Sequence, residues 1–244
     1  MKTIKYLMCS FVLLFVLISV VSVVSAGANK YPSNGVINWK GQNWYLTGGQ
    51  SNPGNNYWNN TGAWIDTQNR MHLTVSKDKG KWKCTMLNSQ YAYLYGTFTW
   101  TVASPVYTFD KNSVVGLCTY LDDYHELDIE TSRWGETKGK QLWYSVQPAK
   151  IDGNSKGYLV PSSIKGTNTV YKIEWKPDYV RFTSTQANGK IISDYNYTNV
   201  SGIPQQPESV IMNLWLMAPP SNGKNIELII SDFTVTNSLI RKVA

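Results

Sequence analysis

The chain has 244 residues, with 23 Lys and Arg against 16 Asp and Glu, a formal net charge of +7. The cations are scattered rather than gathered into a stripe, which argues against nucleic acid as a partner. Sixteen Tyr, ten Trp and eighteen Gly, against 16% charged residues and no sustained helical periodicity, suit a β-rich extracellular protein with aromatic binding surfaces.

Lys2 and Lys5 precede an apolar run from Phe11 to Val24 that ends in Val24-Ser25-Ala26. A charged start, an apolar middle and a small-residue end predict a signal peptide over residues 1–26 and an exported protein. The alternative is an uncleaved membrane anchor, because with its flanks the run approaches the ~18–20 apolar residues that span a bilayer. Cleavage leaves residues 27–244, which fit a single all-β domain.

Residues 31–60 are rich in Asn, Gly and Trp and read as long loops with short strands, the kind of segment that carries ligand contacts. Strands follow at 63–66 and 71–76, joined by a Thr67-Gln68-Asn69 turn, and a Lys-rich turn is expected at 77–83. Further strands are expected at 84–88, 94–103 and 114–120, the last a continuous apolar run of the kind found in the middle of a sandwich. Beyond residue 124 come 126–130, 141–147, 170–175, 179–185, 190–195, 210–216 and 226–236. More than ten short strands with turns between them, and no helix-length insert, predict a jelly-roll β-sandwich of two antiparallel sheets.

One of these strands has unusual chemistry. Glu126-Leu127-Asp128-Ile129-Glu130 alternates three carboxylates with two aliphatic residues. With a side-chain period of two, the acids share one face and Leu127 and Ile129 point into a core. Like charges on one strand face repel, so an ordinary solvent face is a poor explanation. Two glutamates four residues apart, Cα atoms ~13 Å apart, can lean together until their carboxyl groups are about 5–5.5 Å apart, the separation of a retaining glycosidase. Three adjacent carboxyls cannot all ionise cheaply, so at least one should hold its proton and serve as an acid.

Other chemistry is sparse. Cleavage leaves two cysteines, Cys84 and Cys118, which form either a disulfide or two buried thiols. His72 and His125 lack metal-ligand spacing and read as surface or packing residues, so no metal is expected.

Several segments together resemble glycoside hydrolase family 16, which contains lichenases, laminarinases and xyloglucan transferases. Glu126–Glu130 is similar to its E-[IL]-D-[IF]-E motif. Trp82-Lys83-Cys84, Leu94-Tyr95-Gly96-Thr97-Phe98 and Gly116-Leu117-Cys118-Thr119-Tyr120 resemble strands preceding that motif, in the family's order. Tyr171, Trp175, Pro177 and Val180 match a Y-x-x-x-W-x-P-x-x-[IV] hairpin, and Met212-Asn213-Leu214-Trp215 matches a late strand that returns to the cleft.

The resemblance implies a concanavalin-like jelly roll with a concave polysaccharide cleft, Glu126 as nucleophile, Glu130 as general acid/base and Asp128 as the group that hydrogen-bonds the nucleophile. It implies sugar contacts at Tyr120, Asn213 and Trp215, and offers Gln147, Trp134, Asn56 and Trp58 as further candidates. No cofactor is required. A structural calcium occurs in many relatives, but no ligand cluster in this sequence identifies one. The expected partner is a polysaccharide, with no nucleic acid, no lasting membrane insertion once the leader is cleaved, and a monomeric state. Met86 and Asn88 stand where lichenases carry Glu and Arg, and Cys118 where they carry Phe. An altered glucan, a galactan and an anionic polysaccharide therefore all remain open as substrates for hydrolysis or transglycosylation. A non-catalytic sugar-binding or cell-wall structural protein on the same fold is the alternative.

Overall fold

The computed structural model describes residues 35–242. The leader expected over residues 1–26 lies outside them. In chain order, β1 (Val36–Trp39) and β2 (Gln42–Leu46) form a hairpin, and β3 (Gly49–Ser51) and β4 (Asn56–Trp58) a second, smaller one. Then come β5 (Ala63–Ile65), β6 (Met71–Asp78), β7 (Lys81–Lys83), β8 (Thr85–Leu94), β9 (Gly96–Val102), β10 (Ser113–Asp122), β11 (His125–Thr131), β12 (Leu142–Val146) and β13 (Ser155–Tyr158). The chain continues through β14 (Thr169–Trp175), β15 (Val180–Thr185), β16 (Ile191–Tyr197), β17 (Glu208–Leu216), β18 (Ile226–Thr236) and β19 (Leu239–Lys242).

These strands build two large antiparallel sheets. The front sheet runs β1-β2-β8-β17-β10-β11-β12-β13, with β19 beside β8. The back sheet runs β16-β15-β14-β9-β18-β6-β5, with β7 beside β6. The expected sandwich is present, and the acidic strand β11 sits inside the front sheet between β10 and β12.

Three strand expectations change. The Lys-rich turn is mostly strand, because Lys79 and Gly80, both with positive φ, close a two-residue hairpin between β6 and β7. That is the turn geometry whose twist matches paired strands, so Lys77, Asp78, Lys81 and Lys83 are freed to pair. The strand expected at 84–88 extends to Leu94, and Tyr95, at φ +58, followed by Gly96, at φ +117, makes the break that separates β8 from β9. β13 and β19 have no alternating apolar pattern and owe their structure to pairing with β12 and β8.

Between the sheets lies one core. Leu127 and Ile129 are completely buried there, as period two requires, facing a back sheet that contributes Phe98, Trp100, Trp175 and Phe182. Burying each aliphatic side chain is worth ~1.5–3 kcal/mol, and this anchors β11 with its acids on the opposite face. His72 is a packing residue on the back sheet, its ring stacked on Trp64 and its nitrogens 3.0 Å from Glu227 Oε1 and 3.1 Å from Asp66 Oδ2.

Candidate active site

The exposed face of the front sheet holds a cleft of about 570 Å³, and Glu126, Asp128 and Glu130 all line it. A tight turn at Asp123 and Tyr124 delivers β11 from β10. Asp122 Oδ1 holds that turn by accepting the backbone N–H of Tyr124 at 2.9 Å and of His125 at 3.1 Å. The β10–β11 register then sets Tyr120 opposite Glu126, Cys118 opposite Asp128 and Gly116 opposite Glu130. On the other side Ser145 pairs with Asp128 and Trp143 with Glu130.

Asp128 is buried at 3% exposure, while the two glutamates are half-buried. Gln147 Nε2 donates to Asp128 Oδ2 at 2.8 Å, and Gln147 Oε1 accepts the Ala149 N–H at 2.7 Å, so the amide is locked in place. Burial pushes the Asp128 carboxyl up to about 6, held back by hydrogen bonds from Gln147, Glu126 and Cys118. Glu126 is pushed up to about 11 by burial first and then by the charge of Asp128, to which it is hydrogen-bonded. Glu130 is raised well above the carboxylate range by burial and by Asp128. The cluster therefore holds protons on its two glutamates and keeps its negative charge on Asp128, where the donors converge.

A tryptophan wall rises beyond Glu130. Trp134 packs against Trp143, with ring centroids 6.4 Å apart, and against Trp215, at 6.1 Å. Trp134 follows the end of β11 with φ at +51, and its N–H is held by Ser132 Oγ at 2.9 Å. Trp143 donates its indole N–H to Ser132 O at 3.1 Å and lies flat over Gly157, where a Cβ would come within 2.4 Å of the ring. Gly116 plays the same part for Asn213, whose Oδ1 would lie 2.5 Å from an added Cβ. That oxygen is buried and has no hydrogen-bond partner among the described residues.

Of the residues nominated from sequence, the structure brings Glu126, Asp128, Glu130, Tyr120, Trp134, Gln147, Asn213 and Trp215 to this cleft. Gln147, nominated as a sugar contact, has its amide engaged with Asp128. Asn56 and Trp58 are corrected: neither lines the cleft. Trp58 is 4% exposed in the core and donates to Ser51 O at 3.1 Å. Asn56 Nδ2 donates to Pro53 O and Leu216 O, both at 2.9 Å, tying down the loop whose Asn52 and Pro53 do reach the cleft. A polar Asn and an aromatic Trp in a Gly-rich loop look alike whether they hold a ligand or the loop itself.

Sequence reasoning missed Trp143, although it shares strand parity with Gln147 and stands opposite Glu130. It also left Cys118 undecided. Cys84 and Cys118 are both buried free thiols. Burial pushes Cys84 up to about 12, whereas Cys118 is raised by burial and by the three neighbouring carboxyls. Met86 lines the cleft, while Asn88, which does not line it, donates to Thr47 Oγ1 at 3.0 Å. Among the described residues no Lys or Arg lines the cleft, which carries Asp123 besides the three acids of β11. The donor atoms of Cys118, Glu126 and Asp128 lie within 4.8 Å of one another, the one such group of three among the described residues.

Comparison with known proteins gives a consistent picture. The profile of "Glycosyl hydrolases family 16" matches residues 51–229. The fold is similar to that of a Bacillus licheniformis β-glucanase, at 20% identity and a TM-score of 0.63, covering 84% of this chain and 100% of the other. A prokaryotic β-1,3-1,4-glucanase (lichenase) from a mouse hindgut metagenome aligns at 17% identity and a TM-score of 0.62, covering 81% and 94%. A laminarinase from Flavobacterium sp. UMI-01 aligns at 15% identity and a TM-score of 0.62, covering 79% and 92%. No curated protein matches the sequence.

Proposed function

The chain belongs to glycosyl hydrolases family 16, a family of glycoside hydrolases, and from that membership we propose that it is a secreted, retaining endo-glycosidase of a neutral β-linked polysaccharide such as a β-1,3/1,4-glucan. The observation that carries this reading is the placement of Glu126, Asp128 and Glu130 along the floor of one tryptophan-walled cleft that no Lys or Arg lines. A polyanionic chain would meet the negative charge held on Asp128, with no cation among the described lining residues to receive it, so the anionic substrates left open by the sequence are disfavoured. Neutral sugars stack on indole rings and hydrogen-bond to amides, which Trp143, Trp215 and Asn213 supply. Export rests on the leader that the sequence predicts over residues 1–26.

Protonated Glu130 gives its proton to the glycosidic oxygen as the bond to the anomeric carbon breaks. Glu126 attacks that carbon from the opposite side and forms a glycosyl ester. For this, Glu126 must release the proton it shares with Asp128. The positive charge growing on the sugar favours the Glu126 anion, and the proton passes to Asp128 across their hydrogen bond. Glu130, now a carboxylate, takes a proton from water, whose oxygen displaces Glu126 from the sugar. A sugar hydroxyl in place of water gives transglycosylation.

A second reading, a sugar-binding protein without turnover, is favoured by the surroundings of Glu126, whose burial and hydrogen bond to Asp128 raise its carboxyl where a nucleophile needs an anion. Incubation with a panel of β-glucans and galactans, followed by product analysis, separates the two. Cleavage that disappears in Glu126→Gln and Glu130→Gln supports the enzyme. Binding without any product from the unaltered chain sinks it.

A further inference from the structure

We infer that the cleft floor is also a binding site for a thiophilic divalent cation, Zn²⁺ or Cd²⁺, held by Cys118, Glu126 and Asp128. The three residues come from one face of two paired strands, with Cys118 directly opposite Asp128 and Glu126 two positions along β11. One donor atom from each lies within 4.8 Å of the other two. In a tetrahedral site with metal–sulfur and metal–oxygen bonds of about 2.3 and 2.1 Å, ligand atoms stand ~3.5 Å apart, so small side-chain rotations close the site.

The donor set selects the ion. A thiolate favours soft or borderline cations over Mg²⁺ and Ca²⁺, which take oxygen ligands. No Lys or Arg lines the cleft to compete for the carboxylates. On binding, the Cys118 thiol and the carboxyl shared by Glu126 and Asp128 lose their protons to solvent as the metal–sulfur and metal–oxygen bonds form. Gln147 Nε2, 2.8 Å from Asp128 Oδ2, orients that ligand from outside and leaves its second oxygen available.

A separate observation points to a missing ligand at the same floor. Asn213, 6% exposed, has an Oδ1 with no hydrogen-bond partner among the described residues. It lies over Gly116 in the row of Glu130, which neighbours the row of Cys118 and Asp128 on the same face of the sheet. A buried acceptor oxygen without a donor is costly, so this cleft floor is shaped for a group that the described residues do not supply.

Such an ion occupies the proposed nucleophile and switches hydrolysis off, but its binding is measured without any sugar. Cd²⁺ titrated into the reduced mature chain, residues 27–244, whose thiols are Cys84 and Cys118, should produce a thiolate-to-cadmium absorption band at one equivalent, reversed by EDTA and unaffected by excess Ca²⁺. The band should persist in Cys84→Ser and vanish in Cys118→Ser. Because Cys118→Ser removes a buried side chain, Glu126→Gln and Asp128→Asn serve as a second arm with Cys118 intact. Each should weaken Cd²⁺ binding by at least the ~10-fold that loss of an outer-shell partner alone costs. No band in the unaltered chain, a band that survives Cys118→Ser, or unchanged affinity in both carboxyl variants overturns the inference. A chain that binds Cd²⁺ but cleaves no sugar refutes only the hydrolase reading; one that cleaves sugar without a band refutes only this site.

Discussion

Two buried acids lie on opposite faces of the front sheet and meet different surroundings. On the cleft face, Asp128 accepts from Gln147 and is hydrogen-bonded to Glu126 and Cys118. On the core face, Glu208 is completely buried in β17, and among the described residues its side chain accepts from Thr119 Oγ1 at 2.5 Å and leaves Oε1 without a partner. Burial pushes both up, Asp128 to about 6 and Glu208 to about 8. Burial alone therefore does not set the charge of an acid in this sheet; the number of donors aimed at it does. The cleft face is wired to keep one charge, and the core face to keep a proton.

Replacing the cleft acids should break this contrast most severely. Glu130→Gln removes the general acid and should cut kcat by ~10²–10⁴-fold, and Glu126→Gln by at least as much. Thermal unfolding should show both variants as stable as the parent or more so, since each loses a desolvated carboxyl. Sugar release from a responsive polysaccharide together with a melting curve tests both halves, and a variant that unfolds early would contradict the account.

The same strand answers in the opposite way on its core face. Leu127→Ala deletes a fully buried side chain and should cost ~2–5 kcal/mol of stability by urea denaturation.

Glu208 sharpens the comparison through pH. Its carboxyl titrates near 4.5 when unfolded and near 8 in the fold, so the folded chain binds the extra proton between those values. Stability from this group is full below about pH 4.5 and is lost as pH rises through about 8, with a slope of up to ~1.4 kcal/mol per pH unit. Melting temperatures taken across that window should fall, and Glu208→Gln should flatten the fall. An unchanged slope in that variant would assign the effect to other groups.

The smallest effect belongs to the tryptophan wall. Trp143→Ala removes a stacking surface worth ~0.5–1.5 kcal/mol, so KM should rise by up to about tenfold with kcat little changed. A large loss of kcat would move Trp143 from binding sugar to shaping Glu130.

Much of this was legible in the order of residues. Period two alone put Glu126, Asp128 and Glu130 on one face and Leu127 and Ile129 on the other, because a strand's geometry is local. The motif and its neighbouring strands carried the family, and turn chemistry delimited most of the sandwich. Tertiary structure decided what no local pattern encodes. It set Cys118 against Asp128 and Trp143 beside Glu130 through strand register, and left Cys84 and Cys118 as free thiols. It also gave Gln147 to Asp128, and Asn56 and Trp58 to their loop. These are meetings between residues from different strands and loops, fixed by pairing and packing of the whole sheet, so they exist only once the chain has closed around its core.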